Sequence, residues 1–396
     1  MKVRRGKSVF VHQQERRQVD LGALLRGKIE QHRRAYSVAA CPLVGEELEL
    51  SQNASGFLAR LSADEWADLG EQAPEDIEKS LPELIAKGLV ITDRDQEPDA
   101  TLRALDDRTR QGGWDKYALL YHGMSRWEDA PEGGAETLES LAAASDQGLR
   151  ELVDEQAPPA AAYRPAESLE EIELPEAPAS GALFELLQER ATVRVFDDVP
   201  VALDAFSTLL RTVWGASGVS RPFAGLELLK KTSPSGGALH PTEVFPLVLN
   251  VDGLDPGVYH YGAADHRLRR LKALDAASAR ELANDISAGQ LYPRDAGALF
   301  LMTSRLERCF WKYRDHSKAY KVALLDVGHL SQTFYLTCTA LGLGPFFSAA
   351  INDRCVTDLL DLDGFDHAPV AICGCGVPAR SGLNLGLRVE PKILTR

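Results

Sequence analysis

The stretch from Lys321 to Gly344, KVALLDVGHLSQTFYLTCTALGLG, limits the fold more than any other part of the chain. It reads as one long helix with Gly342 or Gly344 as its stop signal, and its apolar residues fall on most faces. Such a helix holds only where it is buried, in a domain core or in a subunit interface. The chain must therefore build a layered domain around it. No apolar run reaches the roughly 18 residues of a membrane span, so the surroundings are expected to be protein and not lipid.

A chain of 396 residues exceeds what one compact core holds, and two or more domains are expected. The break falls between 131 and 180. There the sequence turns to Ala, Pro, Glu and Ser, as in EQAPPAAAYRPAESLEEIELPEAPAS, which cannot bury enough apolar surface to fold alone. The reading is an N-terminal domain over 1–130, a largely linker segment over 131–180 and a C-terminal domain over 181–396. A net charge of −14 argues against a general nucleic-acid binder, which needs a basic face for phosphates. The first 35 residues are nonetheless basic, and 150–176 is acidic. That asymmetry suits guidance of a charged peptide, and equally a plain solvated surface. The start, MKVRRGKSVFVHQQERR, lacks the apolar stretch of a signal peptide, and a cytoplasmic protein is expected. Cys41, Cys309, Cys338, Cys355, Cys373 and Cys375 form no CxxC pair. They read as reduced, buried small hydrophobes with no metal role.

In the N-terminal domain SVFVHQQ reads as a strand and YSVAACPLVGEELELS as strand and turn. SADEWADL is a predicted helix capped by Ser62. PEDIEKSLPELIAKGLVITDRDQ reads as a helix stopped by Gly88, with the strand LVITD after it. A helix, then Lys-Gly-Leu-Val, then a strand is how a winged-helix domain closes, and any small α+β domain fits the same pattern. In the C-terminal domain GALFELLQERA, LDAFSTLLRTVWGAS and ASARELANDIS are predicted helices. TEVFPLVLNV, GALFLMTSRLE and APVAICGCGVP are buried strands, and GVYHYGAADHRLRRL is a hairpin.

Four constellations have chemical content. Arg190 and Arg194 stand four residues apart at the end of a helix, with Thr192 between them. Two guanidinium forks and a hydroxyl suit phosphate oxygens, and also an arginine-decorated helix end. Thr232 to Pro241, TSPSGGALHP, is short on side-chain bulk around Pro234, Ser235 and Gly236, so a flat ring can lie against its backbone. An ordinary loop into a strand has the same look, and GxxxxGK[ST] is absent. In WKYRDHSKAYK, Lys312 beside Tyr313 favours the phenolate, and a hydrophobic site would lower the lysine pKa. Either group then suits a general base, while a solvated basic loop is the plain alternative. In LGLGPFFSAAIND, the small residues Ser348, Ala349 and Ala350 permit close approach of a ligand, or form a simple crossover.

Their order along about 200 residues is more specific than any one of them. R-x-[ST]-x-R-x-F, P-S-x-G-x-x-x-P, G-x-Y-x-Y, W-K-Y before D-x-G-H, then L-G-L-G, resembles the SagB-type dehydrogenases of the nitroreductase superfamily over residues 180–380. The resemblance implies an α+β sandwich, an antiparallel-rich sheet flanked by helices, which dimerises and holds FMN at the subunit interface. By the same resemblance Arg190, Thr192 and Arg194 meet the FMN phosphate and ribityl chain. Pro234, Ser235 and Gly236 line the flavin ring, Ser348, Ala349 and Ala350 lie near its other side, and Arg380 is a second phosphate ligand. Lys312 and Tyr313 match the Lys-Tyr pair implicated as catalytic in azoline oxidases of the family. The sequence departs from the family at Gly236 and His240, where the pattern has Ala and Tyr, and at Thr192, where Ser is more usual. His240 bears on substrate contacts. The N-terminal domain resembles, more loosely, winged-helix-like domains that bind leader peptides in ribosomal peptide maturation.

The expectation is an FMN-dependent dehydrogenase that oxidises thiazoline or oxazoline rings of a ribosomal precursor peptide, with a cyclodehydratase as partner. A reductase that passes hydride from NAD(P)H to a nitro group, an enone or a dehydroamino acid is the second reading. A peptide-binding scaffold without flavin chemistry is the third. Fold resemblance alone does not choose the substrate.

Overall fold

The computed structural model describes residues 1–19, 31–72, 77–127 and 180–379, with isolated positions between 147 and 174. Nearly all of the expected linker, and Arg380, lie outside the described residues. The chain divides into two compact units. The first comprises 1–127 together with 305–323 and 361–368. The second comprises, among the described residues, 180–304, 324–360 and 369–379.

The first unit opens with β1 (Lys2–Arg5), β2 (Phe10–Val19), β3 (Gln31–Cys41) and β4 (Glu46–Leu50), followed by α1 (Gln52–Arg60). Ser51 caps α1, its hydroxyl accepting from the Ala54 N–H at 3.1 Å. Next come β5 (Ala67–Asp68), α2 (Leu69–Gln72), α3 (Leu81–Ala86), β6 (Val90–Thr92), α4 (Asp99–Gln111) and α5 (Lys116–Met124). They form two antiparallel sheets, ordered β5–β1–β6 and β2–β3–β4.

The helix expected after Ser62 does not form. The Ser62 hydroxyl does accept from the N–H groups of Asp64 and Glu65, both at 3.1 Å. The chain then leaves as β5 to pair with β1, and tertiary pairing overrides the local helix signal. The long helix expected before Gly88 is shorter than predicted. It breaks at Ser80 after a 3₁₀ turn over Ile77–Lys79, and α3 restarts with Pro82 in its first turn, where a missing N–H is harmless. Gly88 does end it, at φ 66°, and β6 follows as expected.

The second unit begins with α6 (Ala182–Glu189), α7 (Leu203–Val213) and the hairpin β7 (Gly218–Phe223) with β8 (Leu226–Lys230). The chain continues through β9 (Thr242–Val248), β10 (Gly257–Gly262), β11 (Arg267–Ala273), α8 (Ala276–Ile286) and β12 (Ala298–Arg305). Then come α9 (Leu306–Lys312), α10 (Lys318–Ala340), β13 (Gly344–Ser348), α11 (Asp353–Leu359) and β14 (His367–Gly376). The central sheet has six strands ordered β11–β10–β9–β12–β14–β13. The pairs β11–β10, β10–β9, β9–β12 and β13–β14 run antiparallel.

Alternation along β9 builds the layers. Val244 and Val248 face a core with Phe206 and Leu210 of α7 and Val327, Leu330, Phe334 and Cys338 of α10. Phe245 and Leu247 face the opposite core, with Ala279, Ala283 and Ile286 of α8 and Val356 of α11. Helices thus cover both faces of one sheet, the α+β sandwich expected. Phe300 of β12 stacks on Trp214 with centroids 5.1 Å apart and meets Phe334 edge-on at 5.3 Å. Each such pair stabilises by about 1 kcal/mol beyond its buried area.

The long helix α10 is buried along one stripe only. Leu324 and Leu325 on another face are 36% and 53% exposed. Among the described residues, no helix is long and apolar enough to cross a membrane.

Candidate functional site

Helix α6 ends at Glu189, and Arg190 leaves it with ψ 119°. The chain then runs extended, stitched to two strands. Val193 N–H donates to Pro345 C=O at 2.8 Å, Ala379 N–H to Val195 C=O at 3.0 Å, and Asp197 N–H to Val377 C=O at 2.9 Å. In extended chain the side-chain period is two, so Arg190, Thr192 and Arg194 share one face while Val193 points the other way. A Cβ at Gly344 would stand 2.7 Å from Val193, so only glycine lets this segment lie against β13. The spacing read as a helix-end pair of arginines is therefore a strand-like triplet. The Thr192 and Tyr335 hydroxyls are 3.1 Å apart. The Arg190 guanidinium lies over the Tyr335 ring at 5.5 Å, and that of Arg194 over the Tyr292 ring at 5.5 Å. Burial pushes the Tyr335 phenol above its usual range, with the Thr192 hydrogen bond acting the other way.

Tyr292 links this triplet to the small-residue segment after β13. Its hydroxyl donates to Gln290 Oε1 at 2.7 Å. Gln290 Nε2 in turn donates to Ser348 Oγ at 3.2 Å and to Ala350 C=O at 2.8 Å. The Ala350 N–H closes back on Ser348 Oγ at 3.2 Å, which fixes the turn through Ala349. Burial raises the Tyr292 pKa, opposed by Arg194 and Ser348. Two sequence-predicted clusters, 190–194 and 348–350, are thus joined through residues that sequence reading did not single out.

The loop 233–240 is fastened to α10. Ser233 Oγ lies 2.7 Å from Thr333 Oγ1, and His329 Nδ1 lies 3.2 Å from the Pro234 carbonyl oxygen. Ser235 Oγ donates to Asp326 Oδ2 at 2.5 Å, and the Gly236 N–H donates to Asp326 Oδ1 at 3.1 Å. Asp326, His329 and Thr333 follow helical spacing, so one side of α10 carries the whole loop. The loop backbone is left-handed at Gly237, Ala238 and His240, with φ of 65°, 57° and 44°. For the two residues with a Cβ this costs on the order of 1 kcal/mol each and persists only where neighbours hold it. Tyr335, from the same helix, meets Arg190 and Thr192, so α10 is the common support of loop and triplet.

Lys312 and Tyr313 close α9, which belongs to the first unit. Lys312 is exposed, and its Nζ stands 5.6 Å from the centre of the Tyr313 ring. The segment around them is anchored within that unit. Phe310 stacks on Trp114 at 4.3 Å, and the Asp315 N–H donates to Gly113 C=O at 3.0 Å. Trp114 Nε1 donates to Asp366 Oδ1 at 3.3 Å. His122 of α5 is buried between Tyr320 and Gly364. Its Nε2 is 2.7 Å from the Gly364 carbonyl, which only accepts, so Nε2 carries the proton and Nδ1 accepts from the Tyr320 hydroxyl at 3.0 Å. Among the described residues no group of three or more His, Cys, Asp or Glu is placed to hold a metal ion.

Sequence reading missed Gln290, Tyr292, Asp326, His329, Thr333 and Tyr335 as parts of one network. The one available signal was D-x-G-H, which contains Asp326 and His329.

The donor set suits a flavin mononucleotide. Two guanidiniums and a hydroxyl on one extended face match a phosphate monoester. A loop of small residues fastened to α10 would suit a flat ring.

A family model described as the nitroreductase family matches residues 187–377. The protein MJ1384 of Methanocaldococcus jannaschii, which carries a nitroreductase name, is 30% identical over 46% of this chain and 84% of its own. The trifolitoxin-processing protein TfxB of Rhizobium leguminosarum bv. trifolii is 32% identical over 42% of this chain and 44% of TfxB. The microcin B17-processing protein McbC of Escherichia coli is 29% identical over 36% of this chain and 53% of McbC. The chain thus matches about half the length of these two processing proteins.

Proposed function

This chain belongs to the nitroreductase family, and from that premise we propose that it is an FMN-dependent oxidoreductase of ribosomal peptide maturation, oxidising azoline rings to azoles. The observation that carries the reading is the single face shared by Arg190, Thr192 and Arg194, tied through Tyr335 and Tyr292 to α10 and to Ser348. Arg190, Thr192 and Arg194 hold the phosphate and ribityl chain, with Arg380 as a further phosphate ligand. Pro234, Ser235 and Gly236 line one side of the ring, and Ser348, Ala349 and Ala350 the other. Bound FMN supplies a two-electron hydride acceptor. Lys312 or Tyr313 removes the proton from the azoline carbon that was Cα of the peptide. Aromatisation of the product ring drives the reaction.

The names of TfxB and McbC, both processing proteins, support a precursor peptide as substrate; a cyclodehydratase that forms the ring is the further partner of this proposal. The N-terminal domain, 1–130, is the proposed leader-peptide binder. A second copy of the chain is the proposed cover for the exposed Leu324 and Leu325 face of α10.

The test is mass spectrometry of an azoline-containing peptide incubated with the FMN-loaded protein. Loss of two hydrogens per ring, without NAD(P)H, is the expected result. Lys312→Ala and Tyr313→Phe should keep flavin and lower the rate by about 100-fold or more. Rapid bleaching of the flavin by NAD(P)H, with no change in the azoline peptide, would establish the reductase reading instead.

A further inference from the structure

Asp326 is a carboxylate inside the protein, 3% exposed. It lies on α10 within the D-x-G-H pattern, and no ligand role is given to it. Its two oxygens are both used on the same loop. Oδ2 accepts from Ser235 Oγ at 2.5 Å and Oδ1 from the Gly236 N–H at 3.1 Å. Ser235 Oγ, having donated its proton to Asp326, accepts from the His240 N–H at 2.9 Å. A single buried side chain therefore fixes both ends of the segment that contains the left-handed residues Gly237, Ala238 and His240.

The arrangement is a poor choice for stability. Burial pushes the Asp326 pKa up, against the hydrogen bonds from Ser235 and Gly236 and the nearby His329. A group whose folded pKa is raised makes the fold less stable, once ionised, than a neutral isostere would. What the carboxylate provides that an amide cannot is two acceptor oxygens on one rigid fork. An asparagine here accepts from one partner only and turns an NH₂ toward the other, so Ser235 Oγ can no longer donate to residue 326 while it accepts from the His240 N–H.

We propose that Asp326 is a positioning residue for the flavin, holding the Ser235–His240 loop in the strained form that receives the ring. This rests on the reading of Pro234–Gly236 as the ring-lining segment. Asp326 acts through the loop and does not itself touch the cofactor.

The experiment compares full-length wild type, Asp326→Asn and Ser235→Ala, each stripped of cofactor and titrated with FMN by fluorescence quenching, with thermal unfolding of the stripped proteins alongside. The expected result is a separation of the two readouts. Asp326→Asn unfolds at the wild-type temperature or above it, yet binds FMN about tenfold more weakly or worse and gives an altered visible spectrum when loaded. Ser235→Ala, which removes the relay from the loop side, weakens FMN in the same way. Affinity within about twofold of wild type in either variant overturns the proposal. So does an Asp326→Asn protein whose unfolding temperature and affinity fall together, since that is what a purely structural residue gives. A wild type that binds no FMN overturns the ring-loop reading itself, an outcome distinct from the other two.

Discussion

Burial holds the His122 imidazole neutral, which makes the first unit sensitive to acid in a defined window. The ring sits between Tyr320 and Gly364, and burial lowers its pKa from 6.5 to about 4, with the Gly364 hydrogen bond and Asp363 opposing and Arg126 reinforcing. In the unfolded chain the same imidazole titrates near its ordinary value. Above about pH 6.5 both states are neutral and no proton linkage acts. Between about 6.5 and 4 the unfolded state binds a proton that the folded state refuses, so stability falls as pH falls. The gap is about 2.5 pH units, and at about 1.4 kcal/mol per unit the full loss is about 3 kcal/mol by pH 4. Protonation would also strip Nδ1 of its ability to accept from Tyr320, which loosens the anchor of the segment that carries Lys312 and Tyr313. The assay is urea unfolding of wild type and His122→Gln at pH steps from about 7.5 to about 4.5. Glutamine cannot titrate, so the difference between the two proteins isolates this one proton. At neutral pH the variant is expected to be less stable by about 1–3 kcal/mol, from the lost buried hydrogen bonds. That deficit should shrink steadily below about pH 6.5, because only the wild type loses stability to this group. Parallel pH profiles for the two proteins would refute the reasoning.

Three further outcomes follow from the packing and the phosphate face. A Cβ on Gly374 would stand 2.1 Å from Phe346 Cζ in the closed core between β13 and β14. Gly374→Ala should therefore lose about 2 kcal/mol or more by urea midpoint, with an unchanged denaturant slope. Arg190→Ala and Arg194→Ala should each weaken FMN binding by about tenfold to a hundredfold in a fluorescence titration, as loss of a charge-assisted contact to phosphate requires. Gly344→Ala would push Val193 off β13 and should weaken FMN without removing any charge.

Periodicity explains why so much of the second unit was legible. The strands β9, β12 and β14 are continuous apolar runs bounded by turn residues, and α7 and α8 keep one apolar stripe each. These signals are local, and burial enforces them. Where a tertiary contact decides, the reading changed. Ser62 has the cap chemistry of a helix start, but pairing with β1 turns the chain into a strand. Arg190 and Arg194 have helical spacing, but hydrogen bonds with Pro345, Val377 and Ala379 make the segment extended. The chemistry assigned to the triplet is the same in either geometry, since both place the two guanidiniums on one side.

The supporting network was hidden for a different reason. Gln290, Tyr292 and Tyr335 are single polar residues in otherwise ordinary sequence, and their roles exist only through partners tens of residues away. Asp326 was legible only as a member of the D-x-G-H pattern, and its role emerges where its oxygens face Ser235 and Gly236. Membership of residues 305–323 in the first unit was equally invisible. Trp114 on Phe310 and His122 against Tyr320 join segments that no local pattern connects.

The most direct test of the central claim is the visible absorbance spectrum of the purified full-length protein, with any released cofactor identified after heat denaturation. The account requires an oxidised-flavin spectrum and FMN bound at one equivalent per chain, either as purified or after incubation with FMN and removal of excess. A colourless protein that takes up no FMN under saturating conditions would contradict it, and with it the role given to Arg190, Thr192 and Arg194.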